Sequence, residues 1–329
     1  MSLTKPARTP RATTTRAPRR PDPHGDHSVG TRIRRNKWVY AFLLPTIVLY
    51  GMYTLWPIAA SVWYSLLDWD GLTADGEFVG GANYAEAFSD PFFWNALWIT
   101  LLFMLVSVPV RVGLALGAAL VLNNPKLPFA RLFRTALFLP VVTTTAIVGI
   151  VLGFVLDPVG GPVNHVLLSL GIVDTPVNFL GDAGLAPWTA MGVHVWKWFG
   201  ITLVYWLAAL QTVPRELLEA AEVDGAGPWQ RFRHVTLPVL KPFLVIITLL
   251  SAVETLQVFD LVLTLTNGGP FFSTEVVEVY IYRLAYASTT PRLGYASAVA
   301  VLFGAVTVVL AAVQVLGVRL ARRNGRKEA

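Results

Sequence analysis

Apolar residues do not alternate with polar ones along most of this chain. They run together in blocks of about 20 or more, the length a helix needs to cross a ~30 Å hydrocarbon core. Six such blocks stand out, at roughly residues 39 to 66, 95 to 122, 135 to 156, 186 to 210, 241 to 265 and 294 to 318. The pattern predicts an all-α polytopic membrane protein with six transmembrane helices over residues 38–318. Residues 1–37 are rich in Pro, Arg and Thr and hold no apolar run to bury, which predicts a disordered basic tail. Residues 319–329 form a second basic tail. The first apolar block lies too far in and runs too long for a cleaved signal peptide.

Composition sharpens this reading. Of the 329 residues 54% are hydrophobic and 14% charged, and the mean hydropathy is +0.57, far from a soluble domain. The chain has no cysteine, so disulfides, thiolate metal sites and thiol nucleophiles are excluded. The net charge of +6 does not point to nucleic acid, because the basic residues fall in runs beside apolar blocks. The two tails and alternate connections (123 to 134 and 211 to 241) hold 22 Lys and Arg, against two, Arg283 and Arg292, in the other connections. By the positive-inside rule both termini are cytoplasmic.

Nothing in the sequence resembles a hydrolytic site. The nearest approach to a phosphate-binding loop, Gly71 to Gly76, is followed by Glu77 where a lysine is needed, so it reads as a glycine turn. There is no HExxH, and the five histidines lack metal-ligand spacing. The chain is therefore expected to be no enzyme and to bind no cofactor.

One polar connection, residues 212–241, is rich in helix formers. Thr212 can cap a helix, Pro214 suits its first turn, and Glu216, Glu219 and Glu222 favour the positive end of its dipole. Leu217, Leu218 and Ala221 give it an apolar stripe, and Asp224, Gly225 and Gly227 end it. Pro238 and Pro242 bracket the start of the fifth block. A helix lying in the headgroups usually carries Lys or Arg on its polar face; glutamates favour a protein partner instead.

Glu219, Ala220 and Ala221, then Asp224 and Gly225, then Val235, Leu237 and Pro238 reproduce at matching spacing the EAA signature of permease subunits of bacterial binding-protein-dependent ABC importers. The stretches "FVGGANYAEAF", "FRTALFLPVV" and "LTLTNGGPFFSTEVVEVYIYR" resemble the carbohydrate-uptake branch of that family, and "TNGGP" resembles the first of the two permeases of such systems. Val235 stands where the family more often has isoleucine. The resemblance implies a type I importer permease fold and a cytoplasmic coupling helix that docks in an ATPase subunit. It also implies a second permease subunit in a heterodimer, two ABC ATPase subunits that bind ATP and Mg, an extracytoplasmic solute-binding protein and a sugar substrate, in the bacterial inner membrane. Glycerol phosphate is a further substrate class it admits.

Charges inside spans are costly and usually functional. Lys197 and Glu254 both fall near mid-bilayer at ~1.5 Å per residue, and are expected to face the pathway and to compensate one another; they either meet substrate or lock the fourth and fifth spans together. Trp196, Trp198 and Tyr205 accompany Lys197, and Gln257 lies three residues beyond Glu254, on the same face if the helix continues. Arg111, nearer the inner end of its span, is expected to snorkel to the interface. A self-sufficient secondary transporter and an intramembrane enzyme are the competing readings, the first requiring inverted repeats with broken helices.

Overall fold

The computed structural model describes residues 37–73, 75–124 and 127–325; the predicted tail up to residue 36 and residues 326–329 lie outside it. The chain divides into two compact units, residues 1–57 and 58–329.

In the first unit α1 (Lys37–Tyr50) continues through a π-turn, Gly51–Leu55, in which Trp56 N–H reaches back to Gly51 O. The wide turn just precedes Pro57, whose ring would otherwise press on the carbonyl four residues back. The apolar side chains of α1 are exposed, Phe42 at 88%.

Helix α2 (Trp56–Tyr64) starts in the first unit and ends in the second, which goes on with a two-residue antiparallel ribbon, β1 (Leu67–Asp68) with β2 (Glu77–Phe78), in which Leu67 pairs with Phe78. Then follow α3 (Ala82–Ser89), α4 (Pro91–Leu122), α5 (Ala130–Val142), α6 (Thr145–Val155), α7 (Pro162–Ser169) and α8 (Ala186–Leu210). The polar loop carries α9 (Arg215–Val223) and α10 (Pro228–Arg231), and a π-turn, Phe232–Thr236, leads into α11 (Leu237–Thr255). The chain ends with α12 (Phe259–Leu265), α13 (Val277–Tyr282), the π-turn Arg283–Ala287 and α14 (Leu293–Gly325).

Five helices among the described residues are long and apolar enough to cross a membrane, Ala41–Tyr64, Pro91–Leu122, Ala186–Leu210, Pro228–Thr255 and Leu293–Leu316. Two predicted spans need correction. The third is not one straight helix, because α5 and α6 meet at a 101° bend over residues 143 and 144. The fifth starts earlier and stops earlier than residues 241 to 265. Pro238 and Pro242 do not delay it, since the wide turn at Phe232–Thr236 absorbs the missing donor at Pro238, and the helix ends at Thr255 before a break of three residues.

Lipid tails are as apolar as leucine, so helices in a bilayer associate through close packing and hydrogen bonds rather than through exclusion from water. The core of this unit reflects that. Ala96, Ala115 and Ala119 of α4 and Ala190 and Ala209 of α8 are at most 2% exposed and let the two helices approach. Trp206 of α8 is fully buried, and its indole Nε1 donates to Val112 O of α4 at 3.0 Å. At the start of α4, Asp90 caps Phe92 N–H at 2.8 Å and also accepts from the hydroxyls of Tyr280 and Tyr295. Arg292 pairs with Glu86 at 2.7 Å, which ties the start of α14 to α3, and Arg283 pairs with the buried Glu275 at 2.7 Å across the two ends of α13.

Candidate functional site

The polar loop forms the helix its composition predicts, but with a different start. Pro214 (ψ 130°), not Thr212, is the residue preceding α9, while the Thr212 hydroxyl turns back to donate to Ala209 O at 2.7 Å and finishes α8. Leu218 packs on the core formed by α4, α8 and α11, Ala221 is half-buried beside it, and Leu217 is exposed. Glu219, Ala220, Glu222 and Asp224 also face outward, uncovered by this chain.

The end of α9 is a Schellman turn. Ala226 N–H reaches Ala221 O at 2.9 Å and Gly225 N–H reaches Glu222 O at 3.0 Å, which requires the left-handed backbone at Gly225, φ +79°. A β-carbon on Gly225 would meet nothing within 4 Å, so glycine is needed here for its backbone, and the space beyond it is open. Glu222 pairs with Arg231 at 2.7 Å and the Gln230 side chain accepts Gly227 N–H at 2.9 Å, which ties α9 to α10. A cleft of about 370 Å³ lies between them, lined by Ala221, Asp224, Gly225, Arg231, His234 and Val235. Leu237 and Pro238 open α11, so the loop feeds directly into a membrane span.

The second site is a buried polar cluster where α4, α8 and α11 meet. Lys197 is 1% exposed and its ammonium donates to Pro140 O at 3.1 Å, Val141 O at 3.4 Å and Thr143 O at 2.7 Å, with the Trp198 ring 4.7 Å away. These carbonyls lie where α5 stops at the bend, at the negative end of its dipole and without intrahelical donors. Gly200, one turn further on, has Leu137 O and the Phe138 backbone where a β-carbon would sit, so α5 and α8 touch backbone to backbone. Lys197 therefore caps a broken helix with all three of its hydrogens.

The expected Lys197–Glu254 pair does not form. Glu254 meets Arg111 instead, at 3.0 Å, and the same guanidinium nitrogen donates to Ser251 O at 3.1 Å. Arg111 is wholly buried and does not snorkel, because its acid partner reaches it from α11. Beside this pair, Thr255 donates its hydroxyl to Ser251 O at 2.7 Å, which leaves its oxygen to accept from His194 Nε2 at 3.2 Å. That fixes the hydrogen on Nε2 of His194, which is 1% exposed.

The other residues singled out from sequence scatter. Trp198 is half-buried beside Lys197 and Trp196 is 49% exposed on the opposite side of α8, whereas Tyr205 follows Trp198 by two turns on the same side and is 38% exposed. Gln257 is exposed but lies in the break after α11, so its spacing from Glu254 no longer places it on one helical face. His194, Ser251 and Thr255 were not legible as site residues; the one signal was helical spacing, His194 three residues before Lys197 and Ser251 three before Glu254 and four before Thr255.

The chain is similar to known proteins. The family described as "Binding-protein-dependent transport system inner membrane component" matches residues 111–323. The lactose transport system permease protein LacF of Rhizobium radiobacter is 37% identical over 288 residues, 86% of this chain and 94% of that one. The sulfoquinovosyl glycerol transport system permease protein SmoG of Agrobacterium fabrum is 35% identical over 276 residues, 82% of this chain and 87% of that one. Among solved structures, a bacterial ABC transporter involved in import of the acidic polysaccharide alginate shares the fold, with a TM-score of 0.75 at 24% identity, covering 88% of this chain and 98% of its counterpart. With two-thirds of its length matched, from Arg111 on α4 through the polar loop to α14, this chain belongs to the family of inner membrane components of binding-protein-dependent transport systems.

Proposed function

We propose that this chain is one of two membrane-spanning subunits of an ATP-driven sugar importer, supplying half of the pathway and receiving the motion of a cytoplasmic ATPase through the loop at residues 212–241. The observation that carries this is the construction of α9. Its acidic face, with Glu219 and Asp224, is left uncovered, while Leu218 packs it on the α4–α8–α11 core and the Glu222–Arg231 pair ties it to α10, which leads into α11. A helix presented to a partner and bolted to a span transmits force. LacF and SmoG, permeases of lactose and sulfoquinovosyl glycerol systems, favour a carbohydrate as cargo.

ATP and Mg are bound by two partner ATPase subunits, and an extracytoplasmic protein delivers the substrate. The lysine and arginine bias supports a cytoplasmic side for α9 and both termini. The buried polar cluster is the pathway's midpoint. Among the described residues Ser107 Oγ, Arg111 Nε and Nη1 and His194 Nδ1 have no partner, which leaves them for sugar hydroxyls when the α4–α8–α11 contact opens. Lys197 serves that site indirectly, by holding the α5 bend.

Replacing Gly225 with tryptophan tests the assignment. The bulk would project into the open space where the ATPase docks, and φ +79° would be strained. Sugar uptake and co-purification of the ATPase fall while the subunit still reaches the membrane. Undiminished uptake and ATPase recovery would refute the coupling role. Reporter fusions test orientation; an active periplasmic-type reporter joined after Lys327 would refute it.

A further inference from the structure

A row of rings follows the break after α11. Phe259 at the start of α12 packs edge-on against Tyr282 with centroids 5.6 Å apart, and Tyr282 lies 5.8 Å from Tyr286 at 39°. Glu278, Tyr282 and Tyr286 sit four residues apart on the helix that runs from α13 into the π-turn, so carboxylate and rings share one face. Glu278 Oε2 accepts Phe259 N–H at 2.8 Å, which joins the far end of the row to α12. Its Oε1 makes no hydrogen bond among the described residues. Asp260 is exposed next to Phe259, and exposure rises along the row to 72% at Tyr286.

The ordinary account of exposed tyrosines in a membrane protein is an interfacial belt. That account does not fit this row. A belt spreads rings around the perimeter against lipid, whereas here they follow one another in a line that ends on a half-buried carboxylate. The exposed Asp260 carboxylate at the same end would cost several kcal/mol against acyl chains, so this face is turned to water or protein. Burial, reinforced by the nearby Asp260 charge and opposed by the Phe259 N–H, raises the Glu278 carboxyl to about 7. Ring faces match the C–H faces of a pyranose, and adjacent carboxylates accept from its hydroxyls, the mix of apolar walls and few polar groups that small-molecule sites share.

We infer that Phe259, Tyr282 and Tyr286, with Glu278 and Asp260, form a sugar subsite outside the buried polar cluster, where a sugar ring stacks before it reaches mid-membrane. This rests on the proposed sugar import. The subsite acts on encounter, through the flatness of the rings, and is separate from the Arg111–Glu254 cluster.

The experiment uses whole cells expressing the complete transporter and radiolabelled lactose, maltose, sucrose, glucose and arabinose. Tyr286→Phe keeps the flat face; Tyr286→Leu keeps bulk and removes it. One stacking contact is worth about 0.5–1.5 kcal/mol, so the half-saturating sugar concentration rises about 2- to 13-fold in the Leu variant and is unchanged in the Phe variant. Because the chain has no cysteine, a Tyr286→Cys variant gives a second reading: a membrane-impermeant maleimide labels it from outside, and the transported sugar slows that labelling. If the parent protein takes up none of the sugars, the sugar-import reading fails and the subsite with it. If it takes one up but Tyr286→Leu matches Tyr286→Phe, or sugar does not protect the cysteine, the subsite alone is overturned.

Discussion

Exchanging Glu254 for Gln tests the buried pair that replaces the one expected from sequence. Arg111 is fully buried and one of its nitrogens divides between Glu254 and Ser251 O, so removing the acid strands a guanidinium with one carbonyl. Breaking a buried pair costs about 3–5 kcal/mol. The Glu254 side chain keeps 29% of its exposure, so solvent screens part of this and about 2–3 kcal/mol is the expected loss. At roughly 2–4 °C per kcal/mol the melting point of the detergent-purified subunit falls by about 5–10 °C, measured as loss of monodisperse protein after heating. Arg111→Met removes the stranded cation, and combining it with Glu254→Gln is less harmful than the sum of the two by about 2 kcal/mol. Lys197→Met and Glu254→Gln, which share no hydrogen bond or ion pair, couple more weakly than that. A larger coupling for Lys197 than for Arg111 would refute the pairing described above.

Three further outcomes follow from the same geometry. Lys197→Met leaves the last carbonyls of α5 without donors and lowers stability by about 1–3 kcal/mol, seen as faster proteolysis near residues 143 and 144, whereas a purely substrate-contacting lysine would leave proteolysis unchanged. Gly200→Val drives a side chain into the Leu137 and Phe138 backbone, and since backbone cannot swing aside the protein accumulates at under half the parental level in membranes; normal accumulation would contradict the close approach. Glu278 has its folded pKa raised from 4.5 to about 7, so it is protonated when folded and ionised when unfolded between those values. Its contribution to stability therefore declines as pH rises from 4.5 to 7 and is flat above, and Glu278→Gln removes that decline in melting temperature against pH.

Length and polarity made the spans legible, and the EAA spacing made α9 legible with its glycine end. The bend between α5 and α6 was not. Residues 135 to 156 read as one apolar block, and the carbonyls freed at its break are met by the ammonium of Lys197, 54 residues beyond Thr143. The end of the fifth span was equally hidden, since nothing in "SAVETLQVFD" is a helix breaker and the stop at Thr255 comes with tertiary contacts, among them Glu278 capping Phe259 N–H. For the buried cluster, composition named the charged residues but not their partners. Arg111 and Glu254 lie 143 residues apart, and only the packing of α4 on α11 brings them together. The wide turn at Phe232–Thr236 likewise turned a proline read as a boundary into the second residue of α11.

The central claim, that α9 seats in an ATP-hydrolysing partner, is tested most directly by proximity. Ala220 is exposed on α9, and an Ala220→Cys variant places the only thiol of this chain there. With the ATPase subunit co-expressed and carrying single cysteines along its membrane-facing cleft, a short bis-maleimide links the two chains in membranes, and the yield changes when ATP is added. A transport-competent complex that gives no crosslink at any cleft position, or an Ala220→Cys variant labelled from outside by an impermeant maleimide, would contradict the account.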